Sequence, residues 1–314
     1  MTPTAEALAG QLNAGLKTFV HDFIRDFLAL PENNNLGPDR PEKAWQDFIL
    51  GYSRGDDQLY SFWKEHIGEF HWAPAEAFAL GMEPEAAASG AAAVGQAGAP
   101  ARAGAASSPG ELTVISWAIS HTEATKADNR LQTDMPSERW ARSRIYGQSR
   151  NRALHRALVA ALAAQGHSAV APALLPQHAE MHSERQGRSS TWSERHVAYT
   201  SGLGTFSLCG GLITSLGQAV RLGSVIVQAA LPPTERPYSG PFDYCLYFNG
   251  VDCTACADRC PVGSMGDKGR DKLVCAQHLE VATAEFVQRE YGFKGYGCGL
   301  CQTGVPCESC IPAP

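Results

Sequence analysis

The first half of this 314-residue chain contains no cysteine, so no disulfide framework can hold that half together. Long apolar runs are missing as well. Lys, His, Arg, Asp or Glu interrupts every candidate before the roughly 18 residues that a membrane-spanning helix needs. There is no block of Lys or Arg, and the formal net charge is -6, so the chain carries no electrostatic footprint for DNA. The opening MTPTAEALAGQLNAGLKTFVHDFIRDFLAL has no basic segment, no uninterrupted apolar core, no small-residue cleavage site and no twin arginine. The expected compartment is therefore the cytoplasm, without a membrane partner.

What is present is a patterned globular sequence, 44% hydrophobic and 18% charged. Leu12, Leu16, Phe19, Val20, Phe23, Ile24 and Phe27 recur at three- and four-residue intervals, which predicts an amphipathic helix closed by Pro31. A second helical region is expected over roughly 41–82, with Trp45, Phe48, Ile49, Tyr60, Phe62 and Trp63 as core contacts, so that 1–82 reads as an N-terminal helical region. Residues 83–110 are almost entirely Ala, Gly, Ser and Pro and read as a mobile linker. From 111 the pattern changes. ELTVISWAI reads as a buried strand, RNRALHRALVAALAAQG as a helix with a Gly cap, and HSAVAPAL and AVRLGSVIVQAAL as further strands. Residues 111–240 are thus expected to form an α/β or α+β unit around a covered sheet.

Nine of the ten cysteines follow position 244, and this crowding points to ligands. Cys253, Cys256 and Cys260 read C-x2-C-x3-C-P, the closing part of the bacterial ferredoxin run. Gly250 stands where that run has its first cysteine, and Cys245 can replace it if LYFNGVD loops out. Cys275 follows alone, and then Cys298, Cys301, Cys307 and Cys310 in YGCGLCQTGVPCESCIP. In two-cluster ferredoxins the cysteine before Pro ligates the other cluster. Applying that crossing gives one 4Fe-4S set from Cys245, Cys253, Cys256 and Cys307, and a second from Cys260, Cys275, Cys298 and Cys301. Cys310 is left over. Residues 241–314 then form a ferredoxin-like module. Structural zinc on the C-x2-C pairs is the competing reading. Cys209, far from the others in FSLCGG, reads as a small buried hydrophobe.

Between these regions, Gly202, Gly204, Gly210, Gly211, Gly217 and Gly223 punctuate STWSERHVAYTSGLGTFSLCGGLITSLGQAVRLGSVIVQA. Such spacing lets backbone approach a large ligand, and tight turns are the alternative. It is neither a P-loop nor a dinucleotide fingerprint, for want of Gly-Lys-Ser/Thr and of a third Gly.

GLGTFSLCGGLITSLGQAVRLGSVIV, followed by CTACADRCPVG and CGLCQTGVPC, resembles the epoxyqueuosine reductase and reductive dehalogenase superfamily over about 111–312. PSERW, STWSERH and CQTGVPC mark a divergent subgroup of it. The resemblance implies an α+β protein: a nitroreductase-like α/β central domain, a C-terminal ferredoxin-like two-cluster module and an N-terminal helical region. It implies an oxidoreductase that takes electrons from a ferredoxin or flavodoxin and passes them to a cobalamin. The corrinoid would be walled by Gly202, Gly204, Gly210, Gly211 and Gly223, and the substrate would be a small molecule or a modified nucleoside. The family's acidic proton donor lies just before a helix, and matching that helix to RALHRAL puts Ser149 at its position. Serine is no acid near neutral pH. His196 and Tyr199, with Glu194, Arg195 and Tyr146, are the other candidates, and a corrinoid-free electron carrier or reductive activator is the alternative function.

Overall fold

A computed structural model of the chain describes residues 5–83, 93–94, 108–267 and 269–313, without the side chains of 5–12 and 93–94. In chain order the elements are α1 (Ala5–Ala29), β1 (Trp45–Arg54), α2 (Gln58–Ile67), α3 (Pro74–Met82), β2 (Ala93–Val94), β3 (Leu112–His121), α4 (Glu123–Arg130), α5 (Glu138–Ala164), β4 (Ala169–Val170), β5 (Glu180–Ser183), β6 (Gly187–Ser190), α6 (Glu194–Thr200), β7 (Gly204–Phe206), β8 (Leu212–Thr214) and β9 (Val220–Gln228). The cysteine-rich end adds α7 (Ala255–Asp258), β10 (Met265–Gly266), β11 (Gly269–Arg270), α8 (Lys272–Gln277), a π-helical segment (His278–Ala282) and α9 (Thr283–Tyr291).

The central sheet has the order β1-β3-β9-β4-β2 and every pairing in it is antiparallel, which makes the fold α+β. Every residue of β3 is buried, because helices cover both faces. Ile115, Trp117 and Ile119 point to one face with Val225 and Val227 of β9, where α1 packs Val20 and Ile24 and α5 packs Leu154, Leu158 and Leu162. The other face takes Val114 and Ile226 against Tyr60, Phe78 and Val197 of α2, α3 and α6. The strand therefore reads as a continuous apolar run although its side chains alternate.

The helical region expected over 41–82 is corrected by β1. Trp45–Arg54 is an edge strand paired with β3, from Trp45 opposite His121 to Arg54 opposite Thr113. Aromatic and β-branched residues favour a pleated, half-buried surface, and the strand's partner lies almost seventy residues downstream, beyond any local pattern. The N-terminal stretch is thus part of the central layer rather than a separate helical unit. The linker expected over 83–110 lies mostly outside the described residues; within it, Ala93–Val94 pairs with Ala169–Val170.

α5 runs well upstream of the helix expected from RALHRAL. Ser137 caps it by accepting from Trp140 N at 3.2 Å, and Gly166, at φ +86°, follows its end. Its C-terminal half fills the core, and its N-terminal half meets the cysteine-rich end. That end is held down by polar ties. Arg130 of α4 binds both carboxylate oxygens of buried Glu308, Asn129 donates to Cys298 O at 3.2 Å and Thr303 Oγ1 at 3.0 Å, and Gln218 N donates to Cys307 O at 2.8 Å.

Candidate metal and anion centre

The thiols gather into two groups of four. Cys260, Cys275, Cys298 and Cys301 line one cavity of about 160 Å³, together with His121, Trp140 and Arg144. Cys245, Cys253, Cys256 and Cys307 line a second, narrower one of about 20 Å³, whose other walls include Leu208, Ile213 and Val305. These are the two sets that the crossed ferredoxin spacing yields. Short loops make them possible. Cys256 sits on α7 and Cys260 just past its end, Cys275 on α8, and Cys298 and Cys301 flank Gly299, whose φ of +67° turns the chain. All ten cysteines are free, and Cys310 is exposed.

Among the described residues no three His, Cys, Asp or Glu side chains stand close enough to hold a single metal ion. Burial pushes the Cys298 thiol up to about 11 and the Cys307 thiol up to about 12, with neighbouring thiols adding to both. Such groups ionise when a metal supplies positive charge. The donor chemistry of each group of four fits a 4Fe-4S cluster. Ser264 gives the first group an extra polar contact: its N–H donates to Cys260 Sγ at 3.3 Å, and its hydroxyl lies 3.2 Å from the same sulfur.

Cys209 lies between the two groups. It is buried, 3.2 Å from Ser207 Oγ and 3.3 Å from Gln218 Oε1, and it packs with Cys245 and Cys256 and against Cys301. Its thiol is also in hydrogen-bond contact with those of Cys256 and Cys301, one from each group, and these contacts hold its pKa well below the ordinary value, so it is more than the small buried hydrophobe expected from the sequence.

A wider cavity of about 420 Å³ adjoins the first group and shares Cys275, Arg144 and Arg270 with it. α6 brings Arg195 and His196 to it, the β5–β6 hairpin brings Arg188, and α8 brings Lys272. Arg195 donates to Gly210 O at 2.6 Å, and burial followed by the nearby Arg270 works against its charge. Burial, then Arg195 and Arg270, push the Lys272 ammonium down to about 8, so it holds a proton it can release near neutral pH. His196 is packed against Trp63 and Phe206, with Nδ1 2.7 Å from Ser193 Oγ; burial and then His71 hold its pKa well below the ordinary value. Near neutrality it is an uncharged imidazole that resists protonation, which argues against it as the proton donor.

The other expected acids are elsewhere. Ser149 is exposed on α5; it stands five residues past Arg144, which takes it round the helix and away from the cavity that Arg144 lines. Tyr199 is buried in a ring cluster with Trp63, Phe206 and Tyr238, and burial raises its phenol pKa. None of Gly202, Gly204, Gly210, Gly211 and Gly223 lines the three cavities. A Cβ on Gly202 would stand 2.9 Å from Glu235 O, and one on Gly211 would stand 2.7 Å from Gln218 Oε1. A Cβ on Gly204 would run into the Ile213 carbonyl, and one on Gly223 into the Trp117 ring. Gly210 makes a turn at φ +69° beside the Arg270 guanidinium. At Gly202, Gly204, Gly211 and Gly223 a side chain would thus meet the protein's own groups, whereas at Gly210 it would have room.

Sequence reasoning missed Lys272 and Ser264; His121 and Arg144 lie in HTEATKADNR and PSERWARSR, charge-dense stretches that read either as a solvated face or, by the resemblance, as pocket edges. Nothing local to Lys272 says that a cavity lies in front of it. His121 is buried, stacked on Trp140 and 2.8 Å from Ser143 Oγ.

No protein-family model matches this chain, and no curated protein matches it. Solved structures similar to it include an epoxyqueuosine reductase from Bacillus subtilis, at 15% identity and a TM-score of 0.42, over 94% of this chain and 66% of that one. Another is an epoxyqueuosine reductase with an epoxyqueuosine-modified tRNA-Tyr stem loop, at 15% identity and a TM-score of 0.43, over 96% of this chain and 66% of that one. A third is a catabolic reductive dehalogenase in complex with 3-bromo-4-hydroxybenzoic acid, at 15% identity and a TM-score of 0.42, over 64% of this chain and 26% of that one. The chain thus spans about a quarter of the length of that dehalogenase and just under two thirds of the length of the reductases.

Proposed function

We propose that the chain is an iron-sulfur oxidoreductase that carries electrons one at a time through two 4Fe-4S clusters. The observation that carries this reading is the division of eight cysteines into two groups of four around two separate cavities, with Cys310 outside both. Cys260, Cys275, Cys298 and Cys301 hold the cluster next to the wider cavity, and Cys245, Cys253, Cys256 and Cys307 hold the other. When bound, the clusters supply one-electron steps. Arg144, Arg221 and Arg270 border the first cavity and offset the negative charge of a thiolate-bound cluster. Lys272 holds a proton at the wider cavity, and the packing of His196 against Trp63 and Phe206 keeps water from that side. The electron donor is a ferredoxin or flavodoxin. Free thiols in this number fit a reducing compartment such as the cytoplasm; among the described residues no helix is long and apolar enough to cross a membrane.

The resemblance to the reductase superfamily also carries a cobalamin. Four of the five glycines expected to wall it, Gly202, Gly204, Gly211 and Gly223, are crowded by the protein's own groups, and the wider cavity is lined by cations, so no step is routed through a corrinoid here. One preparation tests both parts. Anaerobically purified protein is assayed for iron, sulfide, zinc and cobalt, and its visible spectrum is recorded with and without added cobalamin. About eight irons per chain are expected for two four-iron clusters. Zinc in place of iron overturns the proposal. A stoichiometric spectral change with cobalamin would make the corrinoid the electron acceptor.

A further inference from the structure

The wider cavity has a charge balance that the clusters do not explain. Arg144, Arg195, Arg270 and Lys272 all line it, and none of the four has a carboxylate partner among the described residues. Arg144 donates to Tyr296 Oη at 3.2 Å, Arg195 to the Gly210 carbonyl, and Lys272 to the Gln186 and Arg188 carbonyls at 2.7 and 3.0 Å. Arg270 Nε is buried without a partner. The two carboxylates that line the cavity, Glu180 and Glu280, are both engaged by Arg188.

Two of the cations border the thiol cavity as well, and an anionic cluster accounts for Arg144 and Arg270. Arg195 and Lys272 border only the wider cavity. Like charges gathered in partly buried surroundings repel one another and lose hydration, a cost that persists unless something negative is bound. The lowered pKa of Lys272 reflects both costs, burial first and then the repulsion of Arg195 and Arg270. The space is also right: about 420 Å³ falls within the usual range for a small-molecule site. A long nucleic-acid strand is disfavoured by the net charge of -6.

We infer that this cavity binds a small molecule through a carboxylate or phosphate group, which Arg195 and Lys272 hold beside Cys275. The bound molecule is the substrate class of the electron-transfer function proposed above. The inference rests on that reading for the molecule's role, and on the cavity alone for its binding.

The test is calorimetric titration of inorganic phosphate and, separately, succinate into anaerobically purified protein at low ionic strength, with iron measured in the same samples. Saturable one-to-one binding is expected for at least one of them, and the tighter of the two tells phosphate from carboxylate. Arg195→Gln and Lys272→Gln should each weaken binding about tenfold or more, the loss of one charge-assisted hydrogen bond. Arg195→Lys should retain most of the affinity, and iron content should not change. If Arg195→Gln fails to fold, Lys272→Gln decides. The inference is overturned if neither anion binds saturably, if the neutral variants bind as tightly as the parent, or if a short RNA hairpin binds while both small anions fail. Anion binding by protein that holds no iron would sustain this site and overturn the cluster reading, and iron-replete protein without anion binding would do the reverse.

Discussion

Gln218 donates from Nε2 to the Cys301 carbonyl at 3.0 Å while its Oε1 accepts from Ser207 at 2.9 Å and from the Cys209 thiol at 3.3 Å. One buried amide therefore joins the glycine-rich hairpin to the loop that carries two of the first group's cysteines. Replacing it with Ala leaves the Cys301 carbonyl and the Ser207 hydroxyl short of partners in a site that water does not reach. Gln218→Ala should cost about 1–3 kcal/mol in denaturant unfolding. Its iron should also pass to a chelator faster than in the parent. Loss of iron at the parental rate would mean that the amide does not brace the loop.

The two thiol groups predict unequal effects of cysteine removal. Cys301→Ser should lower iron to about half of the eight expected for two clusters, because one group loses a ligand and the other keeps its four. Cys310→Ser should leave iron unchanged, since that side chain is exposed and outside both cavities. Cys209→Ala should also retain full iron, with some loss of stability from the packing it vacates. Iron analysis of the three variants checks the assignment, and a drop in Cys310→Ser together with full iron in Cys301→Ser would reverse it.

Why the thiol groups were legible is instructive beside what was not. Cysteine spacing constrains a short chain around a ligand, so C-x2-C-x3-C-P and the later C-x2-C carried both sets. β3 and β9 were legible too, because strands covered on both faces keep their apolar residues contiguous. β1 was hidden: the residues that make Trp45–Arg54 a strand find their register only on β3, through Gly51 opposite Ser116 and Tyr52 opposite Ile115. The cation cavity was hidden for a similar reason. Arg144, Arg195, Arg270 and Lys272 come from three distant stretches, and although Arg195 stood out as a candidate, nothing local brings the four together. The glycines were visible, but what crowds Gly202, Gly204, Gly211 and Gly223 was not.

That crowding gives a prediction. Gly223→Ala would press a methyl into the indole of Trp117, and Gly204→Ala would press one into the Ile213 backbone. Both should lower stability, by about 1–3 kcal/mol where the neighbour is a side chain and by more where it is backbone. Anion binding by the folded fraction should be unaltered. A variant that unfolds like the parent but loses ligand binding would return these glycines to a binding role.

Ser264 bears on the electrons themselves. Its backbone and hydroxyl both approach Cys260 Sγ, and hydrogen bonds to cluster sulfur favour the reduced, more negative state. Ser264→Ala removes the hydroxyl contact and keeps the backbone one. Potentiometric titration should show one of two midpoints moved to more negative values and the other unmoved. Equal movement of both, or of neither, would contradict the placement of Cys260 in a single group beside Ser264.

The buried histidines set an acid limit to stability. His196 is held well below its ordinary pKa by burial and then by His71, with Arg195 and Lys272 also opposing its charge. In the unfolded chain it titrates near about 6.5. Above that value neither state binds the proton and the group contributes nothing to the pH slope. As the pH falls through about 6.5, the unfolded chain takes up a proton that the folded one refuses, so stability declines toward acid until the folded pKa is reached. Each such histidine adds at most about 1.4 kcal/mol per pH unit to that slope. His71 and His121, shifted in the same direction by burial, add to it. Anaerobic denaturant titrations between pH 7.5 and 5.5 should show the midpoint falling, and His196→Gln should flatten the fall by about one histidine's share. An unchanged slope in that variant would show that the imidazole takes up its proton while still packed against Trp63 and Phe206, and it would restore His196 as a proton donor at the cavity.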